Sequence, residues 1–493
     1  MKRRGKLVSS RGFREASDER FVKGSERMQG TLFPDHLEDF VGDDNAVRVI
    51  DAFIDVLDLV DLGFEGAVPA ATGRPGYHPA VLLKIYVYGY LNRIHSSRRL
   101  ETEAGRNVEL MWLTGRLAPD FKTIADFRRD NGKAICGVCR QFVMLCRQIG
   151  LLGNAVVAID GSKFKAVNNR DKNFTSAKMQ RRMAELDASI DRYLAEMDAA
   201  DLAVPPATMK VDRLQDRIDL LRAQMAELKV IEAQMQQSPD TQISLTDPDA
   251  RSMNSRGSGI VGYNVQAAVD ADHHLIIAHE VVTTGSDRAQ LVGMAQQARA
   301  AIGGDEITVV ADRGYFSGRQ ILACEDAEIT AYVSKPLTSS ARAAGRLDRR
   351  DFIYDADRDC YRCPAGEDLV HRSTATEGTM KIRRYWTRVC GTCSLKSQCT
   401  PGTERRVSRW EHEAVLDRME QRLIARPEMM QIRRQTVEHV FGTLKAWMGS
   451  THFLTRTLNN VATEMSLHVL AYNFKRVLRI MGIQPLMRAI RPG

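Results

Sequence analysis

Two short stretches, NAVVAID at 154–160 and EITVVAD at 306–312, decide how the rest of the chain reads. Each is a run of small and β-branched apolar residues closing on an aspartate, the pattern of a buried strand. Between them, YNVQAAVDA (263–271) and LIIAHEVVTT (275–284) form a predicted hairpin turning at Asp270–His274. DRAQLVGMAQQARAAIG (287–303) has helical spacing. The second stretch is followed by a helix, GRQILACEDAE (318–328), and a strand, TAYVSK (330–335). Three strands, then helix, strand, helix and strand, predict an α+β fold with a mixed sheet flanked by helices.

Outward from this core the chain divides. Residues 1–45 read as a basic N-terminal arm, and 46–150 as an all-helical domain punctuated by Arg93, Arg98, Arg99, Arg106, Arg128, Arg129 and Lys133. Those cations read either as contacts to DNA phosphates or as an ordinary solvated helix face. The α+β domain spans 151–480, and 481–493 is a short tail. Two insertions interrupt that domain. At 176–240, apolar residues at three- and four-residue steps on both sides of Pro205-Pro206 predict a helical hairpin. At 337–420 lies a cysteine-rich segment.

Composition narrows the partners. No apolar run approaches the roughly 20 residues needed to span a bilayer. The basic start lacks the apolar core of a signal peptide, so a cytoplasmic location is expected. The net charge is +8, and residues 403–493 alone carry 15 Lys/Arg against 8 Asp/Glu. A concentrated positive charge of that size suits a polyanion such as nucleic acid.

Asp160 and Asp312 close the two opening stretches, and sheet proteins build sites at the carboxyl ends of strands. A third carboxylate, Glu438, lies in PEMMQIRRQTVEHVFGTLKAWMG with Arg434 four residues before it and Lys445 seven after. On a regular helix these three share one face within about 60°. They could be an exposed ion-pair ladder, or a metal-holding carboxylate with a cation on either side to grip phosphates. Three gathered acids suit phosphodiester transfer, in which hard divalent ions about 4 Å apart stabilise the attacking and leaving oxygens. Mg²⁺ is the expected ion, with Mn²⁺ able to substitute.

DGSKFKA at Asp160, GYNVQ at Gly262, ADRGY at Asp312 and RRQTVEHVFGTLK around Glu438 resemble, in order, the motifs of bacterial insertion-sequence DDE transposases. Residues 78–131 resemble the InsH-type N-terminal domain of such enzymes. The resemblance implies an RNase H-like core in which Asp160, Asp312 and Glu438 are the catalytic metal ligands. It also implies DNA contacts by Arg313, Arg434 and Lys445. The family's C-terminal signature places a Tyr where this chain has Gln431. The implied activity is binding of an element's terminal inverted repeats, metal-dependent strand cleavage and strand transfer, carried out by at least a dimer on double-stranded DNA. Two other readings remain open: a catalytically silent DNA-binding repressor, and an RNase H-like nuclease that cuts without joining.

Other motifs have plainer readings. The glycines of GSGIVG (257–262) precede a strand, whereas a dinucleotide loop must follow one, so no nucleotide cofactor is expected. Cys360-x2-Cys363 and Cys390-x2-Cys393 read as a structural Zn²⁺ shell with Cys399 as an alternative ligand, or as an iron–sulfur site or unligated thiols. Cys136 and Cys139 read as helix core. His439 points away from Glu438 and is not assigned as a general base. Trp386 and Trp410 are candidates for base stacking, while Trp447, beside Met448 and one turn from Leu444, is assigned to the core.

Overall fold

The computed structural model describes residues 36–69, 75–153, 156–201, 208–238, 240–255, 258–304, 306–336 and 340–491. Most of the expected basic arm, up to residue 35, lies outside the described residues. The central sheet consists of β1 (Val156–Lys165), β2 (Ser258–Asp270), β3 (Ile276–Val282), β4 (Ile307–Ala311) and β5 (Ile329–Val333). Its order is β3-β2-β1-β4-β5, and the short strand Arg251–Ser255 also pairs with β2. The β3-β2-β1 half is antiparallel, and β4 and β5 run parallel to β1. This is the RNase H-like arrangement that the motifs implied.

β1 does not stop at Asp160. It continues to Lys165 because β2 pairs with it throughout, from Val157↔Asp270 to Lys165↔Gly262. Gly262 permits that closing pair: a Cβ there would lie 1.9 Å from the Phe164 carbonyl oxygen, so only a glycine lets the strands approach. The parallel pairing of β1 with β4 is shorter and ends at Ile159↔Ala311. Asp160 and Asp312 are each the next residue on neighbouring strands, and strand register therefore sets them side by side.

The N-terminal helices are α1 (Ala46–Asp55), α2 (Pro79–Leu91), α3 (Ser97–Ala104), α4 (Val108–Thr114), α5 (Phe121–Asp130) and α6 (Gly132–Gln148). Asn45, Asn107 and Asp120 cap their helices by accepting from the first-turn N–H groups. The predicted hairpin is present as α7 (Ser176–Asp201) and α8 (Thr208–Gln236), with Met179, Leu228, Ile231 and Met235 packed around Phe174. α9 (Leu291–Ile302) and α10 (Gly318–Asp326) flank the sheet.

The second insertion folds as a separate antiparallel sheet of β6 (Ile353–Asp355), β7 (Cys360–Arg362), β8 (Asp368–Glu377), β9 (Met380–Trp386) and β10 (Val407–Trp410). It leads into α11 (Glu413–Ala425), α12 (Glu428–Gly442), α13 (Leu458–Met481) and α14 (Ile483–Ile490), the last lying where a tail was expected. α13 ties the halves together. Phe474 stacks on Phe142 of α6 and meets Phe53 of α1 edge-on. Asn473 meanwhile satisfies both the N–H and the C=O of Ile276 on β3. Among the described residues no helix is long and apolar enough to cross a membrane.

Candidate active site

Asp160 and Asp312 both face Arg433, a cation supplied by the chain itself. Arg433, on α12, places Nη2 2.8 Å from Asp160 Oδ2 and 3.7 Å from Asp312 Oδ2. Burial is the main reason that the Asp160 carboxyl is pushed up to about 6. Arg433 opposes that rise and the Asp312 carboxylate adds to it. Asp312 also caps the turn Arg313–Tyr315 by accepting from Gly314 N at 2.7 Å. The Nε of Arg433 is buried without a hydrogen-bond partner among the described residues. A guanidinium spread across two carboxylates, with one N–H unsatisfied, marks the place where the site accepts positive charge.

Glu438 is not part of that contact. It lies exposed on α12, next to the buried stripe of Val437, Val440, Phe441 and Leu444. Arg434 is exposed one turn earlier. Among the described residues, no three His, Cys, Asp or Glu side chains stand in a geometry that holds a metal ion. The regular helix expected through Met448 ends early. At Thr443–Trp447 it widens into a π-helical turn, a feature that often marks functional positions. Lys445 Nζ there donates to Ser162 Oγ (2.7 Å) and to the Lys163 carbonyl (2.8 Å), which ties it to β1 two and three residues past Asp160.

The other face of the sheet at this point carries a cluster that the sequence pattern did not expose. Asp287 accepts from Asn264 Nδ2 (2.7 Å) and Gln266 Nε2 (2.8 Å), and pairs with Lys163 at 3.1 Å. Tyr315 donates its hydroxyl to Gln266 Oε1. Gly161 leaves room for this network, since a Cβ there would meet Gln266 Nε2 at 2.4 Å and Asp287 Oδ1 at 2.6 Å. The signal in the sequence was Asn264 and Gln266, two amides inside an otherwise apolar strand and both fully buried here.

A family model described as Transposase DDE domain matches residues 224–474. The chain belongs to the DDE transposases. A second model, described as Transposase domain (DUF772), matches residues 35–130. The larger match includes Asp312 and Glu438 and begins after Asp160. No curated protein matches. Among solved structures the transposase is similar to a cryo-EM structure of the piggyBac transposase synaptic complex with hairpin DNA. The identity is 8% and the TM-score 0.31, over 91% of this chain and 79% of that one, a likeness too loose to carry an argument. Membership makes the chain an enzyme of DNA transposition, in a family that generally uses divalent metal ions.

Several residues of the transposase lie elsewhere than the sequence suggested. Arg128 is half-buried rather than an open surface cation. It is held over the Tyr86 ring, 3.5 Å from the Tyr90 hydroxyl, because α5 turns it into the helical core. Arg129 grips Asp126 and Asp130, so its charge is already matched locally. Arg313 is exposed beside Asp312. Trp410 is only 5% exposed, which removes it as a stacking platform, while Trp447, assigned to the core, is 60% exposed. The π-helical turn carries Trp447 outward, where Arg93 and Lys475 lie over its ring at 5.6 and 5.9 Å. With Lys475, Arg476 and Arg479 it lines a basic cleft of ≈ 190 Å³. His439 lines it too, stacked on His274 and bonded to the Tyr472 hydroxyl.

The cysteines also regroup. Cys136 and Cys139 sit in α6 against Ser466 of α13, as helix packing requires. Cys363, Cys390, Cys393 and Cys399 surround one cavity, whereas Cys360 is 2% exposed and outside it. The reason is strand alternation. Tyr361 and Cys363 share the face of the insertion's small core, so Cys360 must point to the reverse face.

Proposed function

We propose that this transposase binds the terminal inverted repeats of an insertion sequence, cuts a strand there to free a 3′-OH, and directs that hydroxyl at target DNA. Asp160, Asp312 and Glu438 are the residues assigned to hold its divalent ions. The observation that carries the reading is the meeting of Asp160 and Asp312 on adjacent parallel strands around one positive charge. Mg²⁺ is the ion best matched to carboxylate oxygens, and when bound it stabilises charge on both oxygens of an in-line displacement.

The chain's own groups have separable tasks in this reading. Arg433 keeps the two carboxylates together before an ion arrives, and is then released to pair with a phosphate. Glu438 completes the ligand set from the exposed side of α12 once DNA is in place. Lys445 fixes α12 on β1 rather than gripping DNA, while Arg313 and Arg434 are exposed and available to phosphates. The cleft of Trp447, Lys475, Arg476 and Arg479 supplies an aromatic face inside positive charge, the combination that holds an unpaired base and its backbone. Residues 46–150 are assigned to end recognition and 151–480 to catalysis. Two ends brought together require at least two copies of the chain.

The test is incubation with duplexes carrying the element's end in Mg²⁺ or Mn²⁺. The expected products are a nick with a 3′-OH and a joined strand. Binding without cutting in either metal would instead make the protein a DNA-binding repressor, and cutting without joining a nuclease.

A further inference from the structure

Four thiols from three separate turns border one cavity in the second insertion, and their side chains as placed stand short of ligating geometry. Cys363 opens a tight turn in which Gly366 N donates to the Cys363 carbonyl at 2.8 Å and Cys363 N to the Glu367 carbonyl at 2.9 Å. Gly366 has φ +85°, a conformation natural to glycine, and this returns the chain immediately after Cys363. Cys390 and Cys393 flank the end of a 3₁₀ turn, Arg388–Thr392. Lys396 N then donates to the Cys393 carbonyl at 3.2 Å and starts the helical turn Lys396–Cys399. Leu347 N reaches the Gln398 carbonyl at 2.8 Å and pins that last turn to the start of the insertion.

The space between these turns is small. Cys363, Cys390, Cys393 and Cys399 line a cavity of ≈ 30 Å³ with Lys396 and Arg405, and all four cysteines are free thiols. Arg405 lies over the Phe352 ring at 5.2 Å, with its Nε buried and lacking a hydrogen-bond partner among the described residues. A buried N–H without an acceptor is costly unless the site supplies one, and a thiolate sulfur is such an acceptor. The surrounding core is slight for a five-stranded sheet: Phe352, Tyr361, Leu369, Tyr385 and Val407 are its buried residues. Small units of this kind commonly rely on a metal or disulfides for stability.

We infer that Cys363, Cys390, Cys393 and Cys399 bind one structural Zn²⁺ through four thiolates, and that Cys360 takes no part. Zn²⁺ prefers four sulfur ligands in tetrahedral geometry, which turn-borne cysteines meet by rotating their side chains inward. The four thiol protons leave to solvent as the ion enters, and Lys396 and Arg405 offset the net negative charge of the complex. The sequence favours Cys360 as the partner of Cys363 by CxxC spacing alone. Strand β7 separates them, because residues three apart on a strand face opposite sides.

The test reads metal and thiols rather than transposition, so it stands or falls apart from the proposed function. The full-length protein is purified from zinc-supplemented cells, and its thiols are alkylated before and after treatment with a strong chelator. Mass spectrometry then assigns each modified cysteine. The expected result is about one Zn²⁺ per chain, with Cys363, Cys390, Cys393 and Cys399 protected together and released together when zinc leaves. Cys360 should not change with chelation. Cys360→Ser should retain the zinc and Cys399→Ser should lose it. Protein that holds no zinc, holds iron instead, or shows Cys360 released in place of Cys399 would overturn the assignment. The wild-type alkylation map separates these outcomes even if a variant fails to fold.

Discussion

Asp160 and Asp312 are placed by strand register, whereas Cys363, Cys390, Cys393 and Cys399 sit in turns just beyond strands and short helical turns. The first pair rests on β1 and β4, buried strands whose neighbours hold them before any ion binds. The second group borders a cavity that its own short turns must close. The carboxylate site should therefore survive loss of metal with its geometry intact, while the thiol site should loosen. A rigid scaffold suits a reaction centre, which must be in place before DNA arrives, and a metal-closed loop suits an insertion with little core.

The sharpest way to break this contrast is to remove a carboxylate. Asp160→Asn and Asp312→Asn should lower DNA cleavage by on the order of 10²–10³-fold or more, as expected when charge stabilisation at the reacting oxygens is lost. DNA binding measured by gel shift should persist. Comparable cleavage by either variant would show that strand placement alone does not make the site.

Arg433→Gln should come next. It removes the cation between Asp160 and the more exposed Asp312, whose side chains are 20% and 41% exposed, and should destabilise the metal-free protein by about 2 kcal/mol after solvent screening. The loss should be visible as a lowered urea midpoint that Mg²⁺ restores more strongly than in wild type. An unchanged midpoint would mean that Arg433 does not hold the pair together.

Asp287→Asn is a smaller perturbation on the opposite face of the sheet. It breaks the ion pair with Lys163 and sets an amide against Asn264 and Gln266, which should cost about 1–3 kcal/mol. Cleavage should fall by about 10–100-fold, the usual effect of losing a supporting shell around a metal site. The smallest stability effect belongs to Trp447→Ala. An exposed ring should change the unfolding free energy by no more than about 0.5 kcal/mol. Binding to DNA with an unpaired end should nonetheless weaken by about 1–3 kcal/mol if a base stacks there.

These regions also differ in how far the sequence exposed them. Continuous apolar runs closing on Asp160 and Asp312 made the sheet and its two acids legible, because strand burial leaves a pattern that needs no long-range information. The succession of strands and helices along the chain and the hairpin of α7 and α8 were readable from local apolar spacing as well. The face of α12 was not. The π-helical turn at Thr443–Trp447 breaks the regular spacing, so Lys445 turns to β1 and Trp447 outward. Arg433, next to the motif residue Arg434, is the side chain that reaches both acids. Asp287 escaped because its role depends on amides from β2, more than 20 residues away in sequence. Arg128 looked like a surface cation until the tyrosines of α2 were in place around it. Cys360 lies off the cavity of the other four cysteines because β7 runs between it and Cys363.

The most direct test concerns Glu438, the acid that the fold leaves in solvent. Wild type and Glu438→Gln would be compared for binding, Mg²⁺-dependent cutting and joining of the element's own end. Equal binding is expected, with cutting and joining lost in the variant. If Glu438→Gln cut and joined like wild type, Glu438 would not belong to the metal site, and the three-carboxylate reading of this chain would fail.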